Sequence, residues 1–274
     1  MKKTLFFIAI ASLFTTGAFA QQYPGWIKLA IRPDQQINGE LRWEASSQKY
    51  AITYRTPGGT GNTTMRYSPN EIIELRVQKP ANFDQLMTQV RGATPDTAIP
   101  GLTQIVTNYK MLEWDANAAN VIATIHNKAR RWEETIKLGD KVTDENPGAA
   151  STSILAPLYW TAMLRAGSGK NINKISGWID TAVATAPRPV AAAALNVRGD
   201  MLKAAKKPKE ALAEGYLRAA LMYTNERDAN AEALYKAAET FDEIGQTSYA
   251  EKMRDRLFSY HRSSTWAKSL QGGN

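Results

Sequence analysis

Gly167-Ser168-Gly169-Lys170 has the residue types of a phosphate-binding loop, in which glycine N–H groups and a lysine cradle phosphate. That motif also needs a glycine five positions before Gly169 and a Ser or Thr after Lys170. The chain has Leu164 and Asn171 there, and the segment lies between helical stretches instead of after a strand. It reads as a turn. His126 and His261 are the two histidines, far apart, so they do not make a histidine-rich zinc centre. His126 falls on a helical segment with no identifiable base or orienting partner. Glu133 and Glu134 are adjacent, and neighbours on a helix face different directions. There is no cysteine, hence no thiolate nucleophile, no thiolate metal site and no disulfide. Neither a Gly-x-Ser-x-Gly elbow nor a His-Glu-x-x-His pair occurs. The expectation is a chain with no catalytic residues, no metal and no cofactor.

The remaining candidates are residues that bind, and their placement depends on the elements that carry them. The first twenty residues are read as a leader. Lys2 and Lys3 precede an apolar run from Leu5 to Phe14, and Ala18-Phe19-Ala20 is a small-x-small cleavage pattern. The expectation is a signal peptide over 1–20, cut after Ala20, because the run is too short to span a bilayer. Without it the formal net charge falls from +8 to +6. That charge is spread thinly, with no long basic run. Nucleic acid is therefore not an expected partner, and neither is stable membrane insertion.

From 21 to 80 the pattern is that of a small β domain. Ile37, Gly39, Leu41 and Trp43 alternate with Asn38, Glu40, Arg42 and Glu44. Tyr50, Ile52 and Tyr54 alternate likewise, as do Ile73, Leu75 and Val77, and a further strand is expected over 26–31. Gly58, Gly59 and Gly61 mark a hairpin loop. Ser68-Pro69-Asn70-Glu71 has capping-box spacing with proline at the first helical position, so a helical turn is expected there. A sheet this small needs closure or a packing partner. The expectation is a barrel of the SH3 or Sm-like kind. Trp26, Trp43, Tyr50, Tyr54 and Tyr67 offer stacking surfaces for sugar or peptide. The parity that Trp43, Tyr50 and Tyr54 share with Leu41 and Ile52 points them into the core instead.

From 81 to 274 the period becomes that of helices. A small residue recurs at Ala123, Ala162, Gly199 and Ala238, at spacings of 39, 37 and 39 residues. Such regularity predicts stacked helical hairpins. Small residues let paired helices approach, and Gly245 is expected to end a helix in the left-handed conformation. A helical pair over 82–90 and 99–111 is expected to cap the array.

The stretch from Ala233 to Lys252 resembles exported tetratricopeptide-repeat proteins, notably the Tol-Pal system coordinator family and outer-membrane assembly lipoproteins. Tyr260-His261-Arg262-Ser263-Ser264 is similar to a Tyr-Pro-x-Ser ending of the coordinator family, with His261 in place of proline. The chain from residue 21 onward is also similar to uncharacterised exported repeat proteins of Verrucomicrobia and Planctomycetes. Arg42-Trp43, Tyr67-Ser68-Pro69-Asn70-Glu71-Ile72 and Met111-Leu112-Glu113-Trp114-Asp115 carry that likeness. The resemblance implies a mostly α protein with a tetratricopeptide-like array after the β domain. It implies scaffolding in the periplasm or outside the cell, and no catalytic residues. The chain lacks the families' lipid-anchor cysteine and N-terminal coiled coil.

On the first helix of each hairpin, the groove positions would be Asn117, Asn120, Thr124, Asn127 and Lys128 at one end. At the other they would be Glu232, Tyr235, Glu239, Asp242 and Glu243. Asparagine amides can satisfy the backbone of an extended peptide. The expected function is docking of an envelope protein or peptide in this groove, with self-association left open. The alternative is binding of glycan or cell wall by the β-domain aromatics.

Overall fold

The computed structural model describes residues 21–56, 60–167 and 171–271. The expected signal peptide, Gly58 and Gly59 of the hairpin loop, and Ser168-Gly169-Lys170 lie outside the described residues. The chain divides into two compact units, with the boundary between Gln78 and Lys79.

The first unit is one antiparallel sheet. Its strands are β1 (Tyr23–Leu29), β2 (Arg32–Glu44), β3 (Lys49–Arg55), β4 (Asn62–Tyr67) and β5 (Ile72–Val77), in the order β4-β3-β2-β1-β5. The polar run Asn62-Thr63-Thr64, which carries no alternating signal, forms the start of β4. A one-turn 3-10 helix, Pro69–Glu71, joins β4 to β5, and the Ser68 N–H donates to Glu71 Oε2 at 2.7 Å. Ile27, Leu41 and Ile52 are fully buried, whereas Trp43, Tyr50 and Tyr54 are half-buried and rim this core.

The barrel expectation is corrected here: the sheet is not closed. Among the described residues β4 pairs with β3 alone and β5 with β1 alone. β2 pairs with β1 as far as Leu41 and takes up β3 from Glu40 onward, so one long strand serves both halves. Gly39 sits at that handover, directly opposite Gly25 of β1. A Cβ on Gly39 would lie 2.5 Å from the Thr53 carbonyl oxygen, so only glycine allows the approach.

The second unit is helical. A pair, α1 (Phe83–Arg91) and α2 (Ile99–Asn108), comes first. Then follow α3 (Trp114–Lys128) with α4 (Trp132–Glu145), and a one-turn α5 (Ala149–Thr152). Next come α6 (Ala156–Arg165) with α7 (Ile172–Thr185), then α8 (Arg188–Ala204). The partner of α8 is a helix over 208–222, in which a π-helical turn, Ala211–Tyr216, separates α9 (Pro208–Glu210) from α10 (Leu217–Met222). The last hairpin is α11 (Arg227–Glu243) with α12 (Thr247–His261), followed by α13 (Thr265–Gln271).

α3 packs on α4, α7 on α8, α8 on the helix over 208–222 and α11 on α12, and the first helices α3, α6, α8 and α11 also pack side by side in that order. Ala123, Ala162, Gly199 and Ala238 fall one on each of these four, all buried, as the spacing predicted. Gly245 ends α11 with φ at +75°. No helix among the described residues is long and apolar enough to cross a membrane.

Candidate functional site

The side-by-side first helices α6, α8 and α11 enclose a cleft of about 670 Å³ near their C-terminal halves. Leu164 and Arg165 of α6, Met201 and Lys203 of α8, and Lys236 and Glu239 of α11 line it. Tyr216, from the helix paired with α8, forms part of the wall.

Local packing explains why Tyr216 stands there. Gly199 carries no side chain, and a Cβ on it would run into the Tyr216 ring. The ring therefore lies flat over α8, and its hydroxyl donates to Asp200 Oδ1 at 2.8 Å. The same device occurs in the first hairpins. Gly139 of α4 makes room for the Tyr159 ring of α6, whose hydroxyl donates to Asp140 at 2.5 Å. A Gly-Asp pair on one helix with a tyrosine on the next is thus a recurring joint of this array.

Asp200 also accepts from Lys236 Nζ at 2.7 Å, and Glu232 binds the same ammonium at 2.6 Å. The Trp266 ring centroid lies 5.9 Å from Lys236 Nζ, and that of Tyr216 6.0 Å. Burial alone would weaken the charge on Lys236. The carboxylates of Glu232 and Asp200 outweigh it together and hold the amine above its ordinary range. Burial first, and then the charge of Asp200, pushes the Tyr216 phenol far up. Lys236 is therefore an ammonium and Tyr216 a neutral donor at neutral pH, and neither state is a nucleophile. The cleft offers apolar walls at Leu164 and Met201. Arg165 and Glu239 are its two charges without an ion-pair partner among the described residues. The cleft thus combines apolar contact surface with two opposite charges.

Of the residues expected in the groove, Glu239 lines the cleft. Glu232 binds Lys236, and Tyr235 donates to Glu239 at 2.7 Å while its ring packs on Trp266 at 5.1 Å. Asp242 is taken by Arg254 of α12, and Glu243 by Lys203 at 2.9 Å. The other half of the expected groove lies on α3 and does not join this cleft. Asn117 donates to Glu113 in its own helix, and Thr124 to the Asn120 carbonyl. Asn127 is a structural joint: its amide donates to the Leu158 carbonyl at 3.0 Å and accepts from Thr135 at 2.7 Å. Lys128 is exposed at the end of α3.

Asp200, Tyr216, Lys236, Arg165 and Met201 were not anticipated. The signal that points to them is the repeated Gly-Asp pair, Gly139-Asp140 and Gly199-Asp200. Among the aromatics considered for sugar stacking, Trp43 meets Tyr50 edge-on at 4.8 Å. No protein-family model, no curated protein and no solved structure matches the chain.

Proposed function

We propose that the chain is a non-enzymatic scaffold of the bacterial periplasm or cell envelope, whose tetratricopeptide-like array docks a segment of another protein. The single observation behind this reading is the cleft between α6, α8 and α11, with apolar walls at Leu164 and Met201 and charges at Arg165 and Glu239 that have no ion-pair partner among the described residues. Side-by-side first helices provide a continuous surface, and stacked-hairpin proteins use such surfaces to hold extended segments. The Lys236 network braces the floor, so a ligand meets a preformed site. The five-stranded antiparallel sheet with its 3-10 turn before the last strand fits an SH3-like arrangement left open at its edges.

The test is site-specific photo-crosslinking in the cells that make the protein. A crosslinking residue in place of Met201 is expected to give one discrete adduct with an envelope protein. The same residue in place of Lys141, exposed on α4, is expected to give none. Arg165→Glu should abolish the Met201 adduct. Absence of any adduct, or one that survives R165E, overturns the reading.

A further inference from the structure

In the β unit, β2 and β3 part company beyond the pair Glu40↔Thr53. β2 runs from Gly39 back to Gln36 paired with β1 alone, and β3 runs on through Tyr54 and Arg55 paired with β4 alone. Between Gly39 and Gln36 on β2, and over Tyr54 and Arg55 on β3, the backbone groups that face the other strand therefore have no strand partner among the described residues. Two clefts adjoin this split, one of about 760 Å³ and one of about 490 Å³. Asn38, Tyr54 and Arg55 line both.

The larger cleft is rich in donors. Arg32 and Arg55 line it, and neither has a carboxylate partner among the described residues. Tyr54 and Tyr67 both donate to the Sδ of Met65, at 3.1 and 3.3 Å. A thioether is a weak acceptor, while a hydroxyl–carboxylate bond is about twice as strong as a neutral one. Two guanidinium groups and two phenols thus surround one opening that supplies no anion of its own. The rim is apolar: Ile31 is 82% exposed and Met65 40% exposed. Glu40 lines the smaller cleft, at the opposite end.

We propose that this split binds an extended acidic polypeptide segment. Its backbone pairs with the free edges of β2 and β3, and one of its carboxylates replaces Met65 as acceptor for Tyr54 and Tyr67 beside Arg32 and Arg55. Free strand edges present alternating donors and acceptors at strand spacing, which another polypeptide matches. An anionic glycan satisfies the arginines and leaves those edges unmatched.

The probe is an end-blocked, fluorescent heptapeptide of alternating glutamate and valine, titrated against the full chain by anisotropy. Saturable binding at least tenfold tighter than to the lysine–valine counterpart is expected. Arg32→Gln with Arg55→Gln should weaken it at least tenfold, and both side chains are exposed, so circular dichroism should be unchanged. Methylation of alternate peptide nitrogens should weaken it similarly, because it leaves charge intact and removes edge pairing. Tyr54→Phe, which keeps the ring, should weaken binding severalfold. No peptide binding, equal binding by the double variant, or equal binding of the methylated peptide overturns the proposal. So does an acidic oligosaccharide that binds through Arg32 and Arg55 where the peptide does not.

Discussion

Gly215 lies directly on Gly199. A Cβ added to Gly215 would sit 2.6 Å from the Gly199 Cα and 2.6 Å from its nitrogen. Two helices here touch backbone to backbone, and the contact falls inside the π-helical turn Ala211–Tyr216. The extra residue of that turn brings Gly215 and Tyr216 onto α8 together, one against the backbone of Gly199 and one over its missing side chain.

Gly215→Ala is expected to lower unfolding stability by about 2–3 kcal/mol, because backbone cannot move aside as a flexible side chain would. Gly177→Ala is the control. Nothing lies within 4 Å of a Cβ there, at an exposed position of α7, so it should stabilise by about 0.5–1 kcal/mol. Urea unfolding of the two variants reads both signs.

Among the described residues, α3, α8 and α11 end on the same bond. Gln246 N–H reaches the Phe241 carbonyl, Lys207 N–H that of Leu202, and Arg131 N–H that of His126. The left-handed residue is Gly245 in one, but Lys206 at φ +59° and Arg130 at +57° in the others. A side chain in that region costs about 1–2 kcal/mol, and glycine's greater freedom when unfolded returns part of it. Lys206→Gly should therefore raise stability by about 0.5–1 kcal/mol, and Gly245→Ala should lower it by about 1 kcal/mol, in the same urea assay.

Alkaline stability depends on the cleft. Tyr216 titrates ordinarily at 10.0 and Lys236 at 10.5, and the fold raises both. The folded chain then holds protons that the unfolded chain has lost. The stability these groups contribute is complete below about pH 10 and disappears as pH rises above it. Tyr216→Phe should lose about 1.5–3 kcal/mol at pH 7, from the bond to charged Asp200. It should also show a shallower fall in Tm between pH 10 and 12. A fall as steep as the wild type's would contradict the coupling.

Acid stability has the opposite sign. Burial, and then the charge of Arg227, holds His261 below its ordinary 6.5, with Asp228 opposing. Asn230 spends its amide N–H on the Ala219 and Ala220 carbonyls, so its Oδ1 accepts from His261 Nε2 at 2.8 Å. Neutral histidine with the proton on Nε2 satisfies this. The contribution is present above pH 6.5 and is lost as pH falls through the lowered value. His261→Gln should flatten the drop in Tm between pH 6.5 and 4.5. His126, lowered by burial first and then by Arg131, supplies the slope that persists.

The helical array was legible because small residues at close helix crossings leave a periodic mark: Ala123, Ala162, Gly199 and Ala238 each landed on a first helix. The turn at Ser68–Glu71 was legible because its bond joins residues three apart. Of the cleft, only Glu239 was named from the sequence. Asn127 reads as an open amide on its own helix, yet its partner carbonyl, Leu158, is 31 residues away on a helix whose approach no wheel diagram contains. Closure of the sheet was misjudged for a similar reason. Alternation says which residues share a face, and it does not say whether β4 meets β5.

The sequence by itself determined the two-part division, the hairpin period and the left-handed glycine at Gly245, since each rests on spacing or on one residue's backbone freedom. The tertiary structure decided the open, split sheet and the cleft around Lys236. Both depend on residues far apart in the chain being brought together: Asp200 with Lys236 at 2.7 Å, and β2 handed from β1 to β3 at a glycine too crowded for any side chain.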